Sequence, residues 1–485
     1  MKYLLIFILS ITIYSCGSVP TNVTIVASKP SIYPMLDSVV LPPNISPLNF
    51  KIENKAEDYF VEFTKGSDML FSIESSDENI AIPHRKWLKL SENSGEFNVV
   101  IYTKTDGKWS KFEPLTAAFA KETIDDYLSY RLIAPGYELW DKMGIYQRNL
   151  TSYSEEPILT NSATEGGCMN CHSYANYSSQ TLMLHLRGDI GGTLIKKDGE
   201  VSKHTFKTPE IMSEGIYPSW NPSERYIAFS VNEINQYFHV TGNKPIEVSD
   251  ASSDIVVYDL QRNEIFTDSL IFGSHFMESF PEWSNDGETL YFTRAAAVEN
   301  NANMDSIFYA LCSVDFDLEN RTISNFKVLV DRVSDHKSIS FPRVAPGGNY
   351  LVYTLSDYGN FSIWHEESDL WLLDLTTLKT RPICEVNSSK AESYHSFSSN
   401  GNWMVFSSRR DDGLYTRPYI CHFDTTTAIF SRPFVLPQER GDFYDSQFCS
   451  YNLPKFTKDA VKDQRQLLNK AVGKDKKAAK FAGVQ

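Results

Sequence analysis

Five residues in the middle of the chain carry the clearest chemistry: Cys168-Met169-Asn170-Cys171-His172. Two thiols two residues apart reach the two vinyl groups of one porphyrin, and the next imidazole then faces the iron. Cys-x-x-Cys-His is the attachment signature of haem c. On this reading Cys168 and Cys171 form thioethers and His172 is the proximal iron ligand. Three rivals use the same residues. A zinc site needs two further ligands at matching spacing, and no second Cys-x-x-Cys exists. A thioredoxin-like pair needs a surrounding βαβ pattern, which is absent. A plain Cys168–Cys171 disulfide remains the simplest alternative.

The sixth ligand is left open by the sequence. Met is the usual high-potential partner and His the usual low-potential one. Met183 and His185 lie just downstream in Thr181-Leu182-Met183-Leu184-His185-Leu186. In a strand both point to one face, because side chains repeat every two residues. Met212, His239 and His395 are further candidates, and a five-coordinate iron is another outcome. For Met183 the competing role is core packing. His395 falls where other repeats have Pro.

The N-terminus agrees with export. Lys2 precedes the apolar run Tyr3 to Ile13, long enough for a signal segment and too short to span a bilayer. The run ends in Ile13-Tyr14-Ser15-Cys16, which resembles a bacterial lipobox. That resemblance implies cleavage before Cys16 and lipid on its thiol, anchoring residues 17 onward to a membrane while the body stays in water. Haem c attachment follows export in Gram-negative bacteria, so the two signals support each other. They point to the cell envelope; leaflet and face are left open by the residues after Cys16, with the periplasmic face of the outer membrane the favoured reading and the cell surface the alternative. A net charge of −15 argues against nucleic acid as a partner. Four further cysteines, Cys312, Cys384, Cys421 and Cys449, permit two disulfides or stay as small buried thiols.

The elements that position the motif are strands. Residues 17–30 read as a tether. Residues 31–140 give short strands separated by Gly, Asn, Asp and Ser, such as 58–63, 69–73 and 96–102, and predict a β-sandwich-like domain. A short helix is expected around Ile124 to Leu132. Residues 141–180 are polar and weakly periodic and read as a linker bearing the haem motif. From 181 to 456 an internal repeat dominates. Tyr217-Pro218-Ser219-Trp220, Phe280-Pro281-Glu282-Trp283, Phe341-Pro342-Arg343-Val344 and Tyr394-His395-Ser396-Phe397 each precede a tight polar turn and an alternating strand. Equivalent positions are 63, 61 and 53 residues apart, the period of propeller blades. Ser253 to Leu260 and Ser368 to Leu375 repeat as the next strand. Four blades are firm, and 181–207 and 443–456 extend them to five or six. Residues 457–485 form a Lys-rich tail, read as solvated or as a basic contact with lipid or a partner.

These repeats resemble the PD40-type units of TolB-like propellers. The whole chain resembles Bacteroidota lipoproteins that join a TolB-like propeller to a single c-type haem motif, through segments such as Tyr130-Arg131-Leu132-Ile133-Ala134-Pro135-Gly136-Tyr137 and Met143-Gly144-Ile145-Tyr146-Gln147-Arg148. The resemblance implies a mainly β protein and is weak for function. No Gly-x-Ser-x-Gly elbow, His-Glu-x-x-His or Walker glycine loop is present. The expected role is electron transfer, or redox-responsive binding of an envelope partner. The alternative is a protein- or glycan-binding scaffold with a structural haem. Chemistry on a small oxidant at an open iron ranks third.

Overall fold

The computed structural model describes residues 19–484 apart from 93, 135–141, 240, 243, 299–303 and 462–464. The signal segment and Cys16 lie outside the described residues. Among the described residues no helix is long and apolar enough to cross a membrane.

Six sheets of four antiparallel strands follow one another along the chain. We label them blades I–VI. Blade I holds Tyr127–Ile133, Met143–Asn149 and Glu155–Thr160, and its innermost strand is supplied by Ser450–Thr457 from near the C-terminus. Blades II to VI span 169–205, 215–267, 276–330, 338–382 and 392–435. Their innermost strands are Met169–Tyr174, Gly215–Trp220, Phe276–Trp283, Ser338–Val344 and Glu392–Phe397. Each innermost strand contacts the next, and that of blade VI contacts that of blade I, so the ring closes. This is a six-bladed β-propeller, with the first blade completed by the last strand of the ring.

Strands inside such a ring are covered on both faces, which is why they read as apolar runs. In Thr289–Ala296 of blade IV, Leu290 and Phe292 pack toward blade III with Ile255 and Val257. Tyr291, between them in sequence, packs toward blade V with Leu351 and Tyr353. Similar apolar layers fill the spaces between blades I and II and between II and III.

Several expectations are corrected. The propeller begins at Tyr127, not at 181. The helix expected near 124–132 is the strand Tyr127–Ile133, whose alternation buries Leu128 and Tyr130. The helix in this half of the chain is instead His84–Ser91. The linker expected at 141–180 forms the outer strands of blade I and the first strand of blade II. Its polar character reflects edge positions and the connection between blades. Residues 443–456 make no blade of their own, since 450–457 complete blade I.

The N-terminal residues form a seven-stranded and a three-stranded sheet. Their core is continuous with the propeller: Trp87, Phe97 and Phe119 belong to one buried cluster with Trp403, Phe406 and Tyr451. Asn49 donates to the Gln438 and Glu439 carbonyls (3.1 and 2.8 Å), and Asp125 accepts from the Ser399 amide and hydroxyl (2.7 and 2.6 Å). Part of the expected tether is also structured, since Thr24–Ile25 pairs with residues 110–111.

The Lys-rich tail is ordered against the ring. Helix Arg465–Val472 buries Leu468, Ala471 and Val472 over blades I and II. Lys477–Ala478 and Lys480–Val484 then add parallel strands to the outer edges of blades II and III. Added strands pair with the open backbone groups of edge strands.

Candidate functional site

Every innermost strand slips register by a two-residue bulge. The bulged pairs are Leu453-Pro454, Cys171-His172, Tyr217-Pro218, Phe280-Pro281, Phe341-Pro342 and Tyr394-His395, from blade I to blade VI. The first residue of each pair has a left-handed φ, between 50° and 56°. The second is Pro in four blades, where the bulge asks for no ladder donor. The haem motif is therefore no linker feature. Cys171-His172 is the blade II copy of the aromatic–Pro signature seen in the other repeats.

The first residues of the pairs meet on the ring axis. Tyr217 and Phe280 pack as tilted rings with centroids 4.2 Å apart, as do Phe280 and Phe341, and Tyr394 meets Phe341 edge-on at 4.9 Å. Leu453 packs against this group. Left-handed φ at non-glycine residues costs about 1–3 kcal/mol each, which burial of these rings offsets. Cys171 stands at the sixth position, 4% exposed. Burial raises its thiol pKa above the usual value. Cys168, half-buried, packs instead against the cluster between blades I and II that contains Met143 and Leu186.

His172 is 4% exposed, and burial, with the Lys455 and Arg131 charges nearby, pushes its pKa down to about 3. It is therefore neutral at ordinary pH. Its ring lies against the Ser129 and Leu453 backbone, yet neither nitrogen reaches hydrogen-bond geometry with a described residue. His395, at the same register position in blade VI, gives Nε2–H to the Val352 carbonyl at 2.8 Å.

Met183 and His185 share one face of the second strand of blade II, as the two-residue period requires. The register sets His185 opposite Asn170 and Met183 opposite Ser173, flanking the motif. His185 Nδ1 shares a hydrogen bond with Thr193 Oγ1 (3.0 Å), and burial lowers its pKa to about 3. Met183 is packed with Ile195, Phe206 and Trp220. Met212 accepts from Ser252 Oγ, and His239 pairs with Glu247 at 2.9 Å. Cys312 and Cys421 are buried free thiols in strands, Cys384 is an exposed one, and Cys449 is half-buried.

The residue types, two free thiols and a neutral buried imidazole, fit haem c attachment, while their placement does not yet bring the thiols together: Cys171 stands on the ring axis within the strand, and Cys168, just before it, packs between blades I and II. An unpaired buried polar group costs about 1–3 kcal/mol, and iron ligation would remove part of that cost. No cluster of three His, Cys, Asp or Glu side chains able to hold a bare metal ion occurs among the described residues.

Sequence reasoning missed the mouth of the axial tunnel below the aromatic plug. There a cavity of about 170 Å³ is lined by all six blades. The residue after each bulged pair faces it: Ser173, Ser219, Glu282, Arg343, Ser396 and Lys455. Arg343 Nη1 pairs with Glu282 at 3.2 Å. Burial and the Arg343 charge push the Lys455 ammonium down to about 7. The repeats did mark this position, as the variable x between Pro and the bulky residue.

The fold and site define a β-propeller with a thiol–imidazole pair built into its inner ring. No protein-family profile matches the chain, and no curated protein sequence matches it. Among solved structures it is similar to TolB from Acinetobacter baumannii, at 12% identity and a TM-score of 0.43, over 77% of this chain and 85% of that one. It is also similar to an oligogalacturonate lyase in complex with manganese, at 10% identity and a TM-score of 0.37, over 64% and 74% of the two chains. A third is a putative 6-phosphogluconolactonase from Bacteroides fragilis, at 8% identity and a TM-score of 0.35, over 66% and 98%.

Proposed function

We propose that this chain is an envelope-anchored c-type cytochrome whose propeller carries haem c on the innermost strand of blade II and exchanges electrons with, or reports redox state to, an envelope partner. The observation that carries the reading is the Cys168-Met169-Asn170-Cys171-His172 motif with a neutral, buried His172 whose ring lies against the Ser129 and Leu453 backbone. Cys168 and Cys171 would hold the group through thioethers and His172 would supply a nitrogen to its iron. Met183 and His185, the sixth-ligand candidates from the sequence, face blade III, whereas the His172 ring lies on the blade I side of the same sheet, so neither is placed beside it. Haem supplies one-electron exchange at a potential set by axial ligand and surroundings. The protein's part is a buried, low-polarity setting on a rigid strand. Lipid on Cys16 fixes the body at the membrane, outer membrane and periplasmic face being the reading we favour.

The test is a pyridine haemochrome spectrum of protein matured with haem c assembly machinery, beside Cys168→Ala/Cys171→Ala. Haem that survives acid-acetone extraction in the first and is lost in the second supports the cytochrome. Exported, matured protein without covalent haem rejects it.

A second reading has its own support. Cys171-His172 occupies the register that Tyr394-His395 fills in blade VI, and its neighbours close the tunnel around it. On that reading the pair is a repeat variant, and the protein is a propeller scaffold binding another protein or a glycan.

A further inference from the structure

We propose that the lower mouth of the axial tunnel is a binding site for a small organic monocarboxylate, held between Lys455 and Arg343. The argument starts from the repeat. The ring position after each bulged pair carries a small hydroxyl in three blades, Ser173, Ser219 and Ser396, and a charge in the other three, Glu282, Arg343 and Lys455. In ring order they run Lys455, Ser173, Ser219, Glu282, Arg343 and Ser396, so the small Ser396 leaves space between the two cations and Ser173 and Ser219 separate Lys455 from Glu282.

Glu282 is already satisfied. It accepts from Arg343 Nη1 (3.2 Å), Ser219 Oγ (3.3 Å) and the Val344 amide (3.3 Å). Arg343 engages only Nη1, on Glu282 and on the Pro342 carbonyl (2.8 Å), among the described residues. Lys455 donates no side-chain hydrogen bond to any described residue, although it lies within the cavity wall and beside a second cation. Holding two cations together away from bulk water is unfavourable unless an anion lies between them. With Lys455 protonated the ring has one positive charge in excess. That matches a monoanion, and a phosphate near double charge would be under-compensated beside Glu282. A carboxylate also suits the planar guanidinium.

The remaining wall suits an organic body on that carboxylate. Tyr177, Trp220 and Trp283 line the cavity, so the mouth offers aromatic surface beside the cations. The volume of about 170 Å³ lies below the ~300–1,000 Å³ of drug-sized ligand pockets, which limits the ligand to a small acid no larger than one sugar. The site is separate from the thiol–imidazole pair, since its lining begins at Ser173 and includes neither Cys171 nor His172.

The experiment is calorimetric titration of the full chain with glucuronate, with glucose as the uncharged counterpart and inorganic phosphate as the competing anion. Tryptophan fluorescence from Trp220 and Trp283 is read in parallel. We expect saturable glucuronate binding, at least tenfold weaker binding of glucose and of phosphate, loss of at least tenfold in Lys455→Met, and recovery in Lys455→Arg. Circular dichroism and the unfolding midpoint establish that each variant is folded. If Lys455→Met does not fold, Lys455→Arg and Arg343→Gln carry the test, the first retaining binding and the second losing it. Equal binding of glucose and glucuronate, tighter binding of phosphate, no binding of any probe, or binding unchanged in folded Lys455→Met or Arg343→Gln would overturn the proposal.

Discussion

Blades II and VI place a histidine at the same point of the same bulge, and the two histidines have different fates. His395 completes a hydrogen bond to the Val352 carbonyl and is preceded by Tyr394, a ring of the axial plug. His172 completes none and is preceded by Cys171, where the plug has a thiol in place of a ring. One blade uses the position for packing. The other sets a thiol and a buried imidazole side by side, with a second thiol three residues earlier. In one copy of the repeat a thiol and an imidazole thus stand where most copies have an aromatic ring and most have Pro.

The comparison is sharpened first at the plug. Phe341→Ala removes a ring that touches Phe280 and Tyr394, and by the cost of deleting buried aromatics it should lower stability by about 3–5 kcal/mol. Cys171→Ala removes only a sulfur, so its cost in haem-free protein should be about 1 kcal/mol. Denaturant unfolding of both variants measures the difference. Equal losses would mean that the blade II position is as tightly packed as the others.

Blade II is also covered differently. Removing residues 465–484 strips Leu468, Ala471 and Val472 from the cluster over blades I and II, a loss of about 3–4 kcal/mol from buried side chains. Hydrogen exchange should rise in blades II and III and stay unchanged in blade VI, which packs on the N-terminal sheets.

A smaller effect depends on pH. His395 titrates near 3 in the folded chain because burial opposes its charge, and near 6.5 when unfolded. A folded pKa below the unfolded one gives stability that is present above about 6.5 and is lost as pH falls toward 3. The slope approaches roughly 1.4 kcal/mol per pH unit. His395→Pro restores the residue of most other blades and should remove its share of the slope, His172 and His185 contributing the rest. It should also cost about 1 kcal/mol at neutral pH for the lost bond to Val352. Unfolding midpoints measured across this range decide it, and an unchanged slope would show that His395 is not the group responsible. The smallest effect is Thr193→Val, which deprives His185 of its partner and should cost about 1 kcal/mol.

Much of the ring was legible because its signal is local. The aromatic–Pro pair, the polar turn and the alternating strand recur as one unit, and the axial plug follows from it. Cys171-His172 belongs to that unit, yet its residue types match an attachment signature so closely that they drew the reading away from the repeat. Blade I was hidden because its inner strand comes from residues 450–457, and pairing over such a distance leaves no local trace. The tail was judged by its lysines. Leu468, Ala471 and Val472 at helical spacing, and the alternation of Lys480 to Val484, were the signals that place it on blades II and III. The lower mouth was invisible because its six residues are adjacent only after the ring closes.

The most direct test of the account is the absorption spectrum of matured, haem-bearing protein carrying His172→Ala, set beside His395→Ala. The account predicts that His172→Ala loses the histidine-ligated iron spectrum while His395→Ala keeps it, the two positions being equivalent in fold and different in function. Matured protein with no covalent haem, or one in which both variants retain the wild-type spectrum, would contradict it.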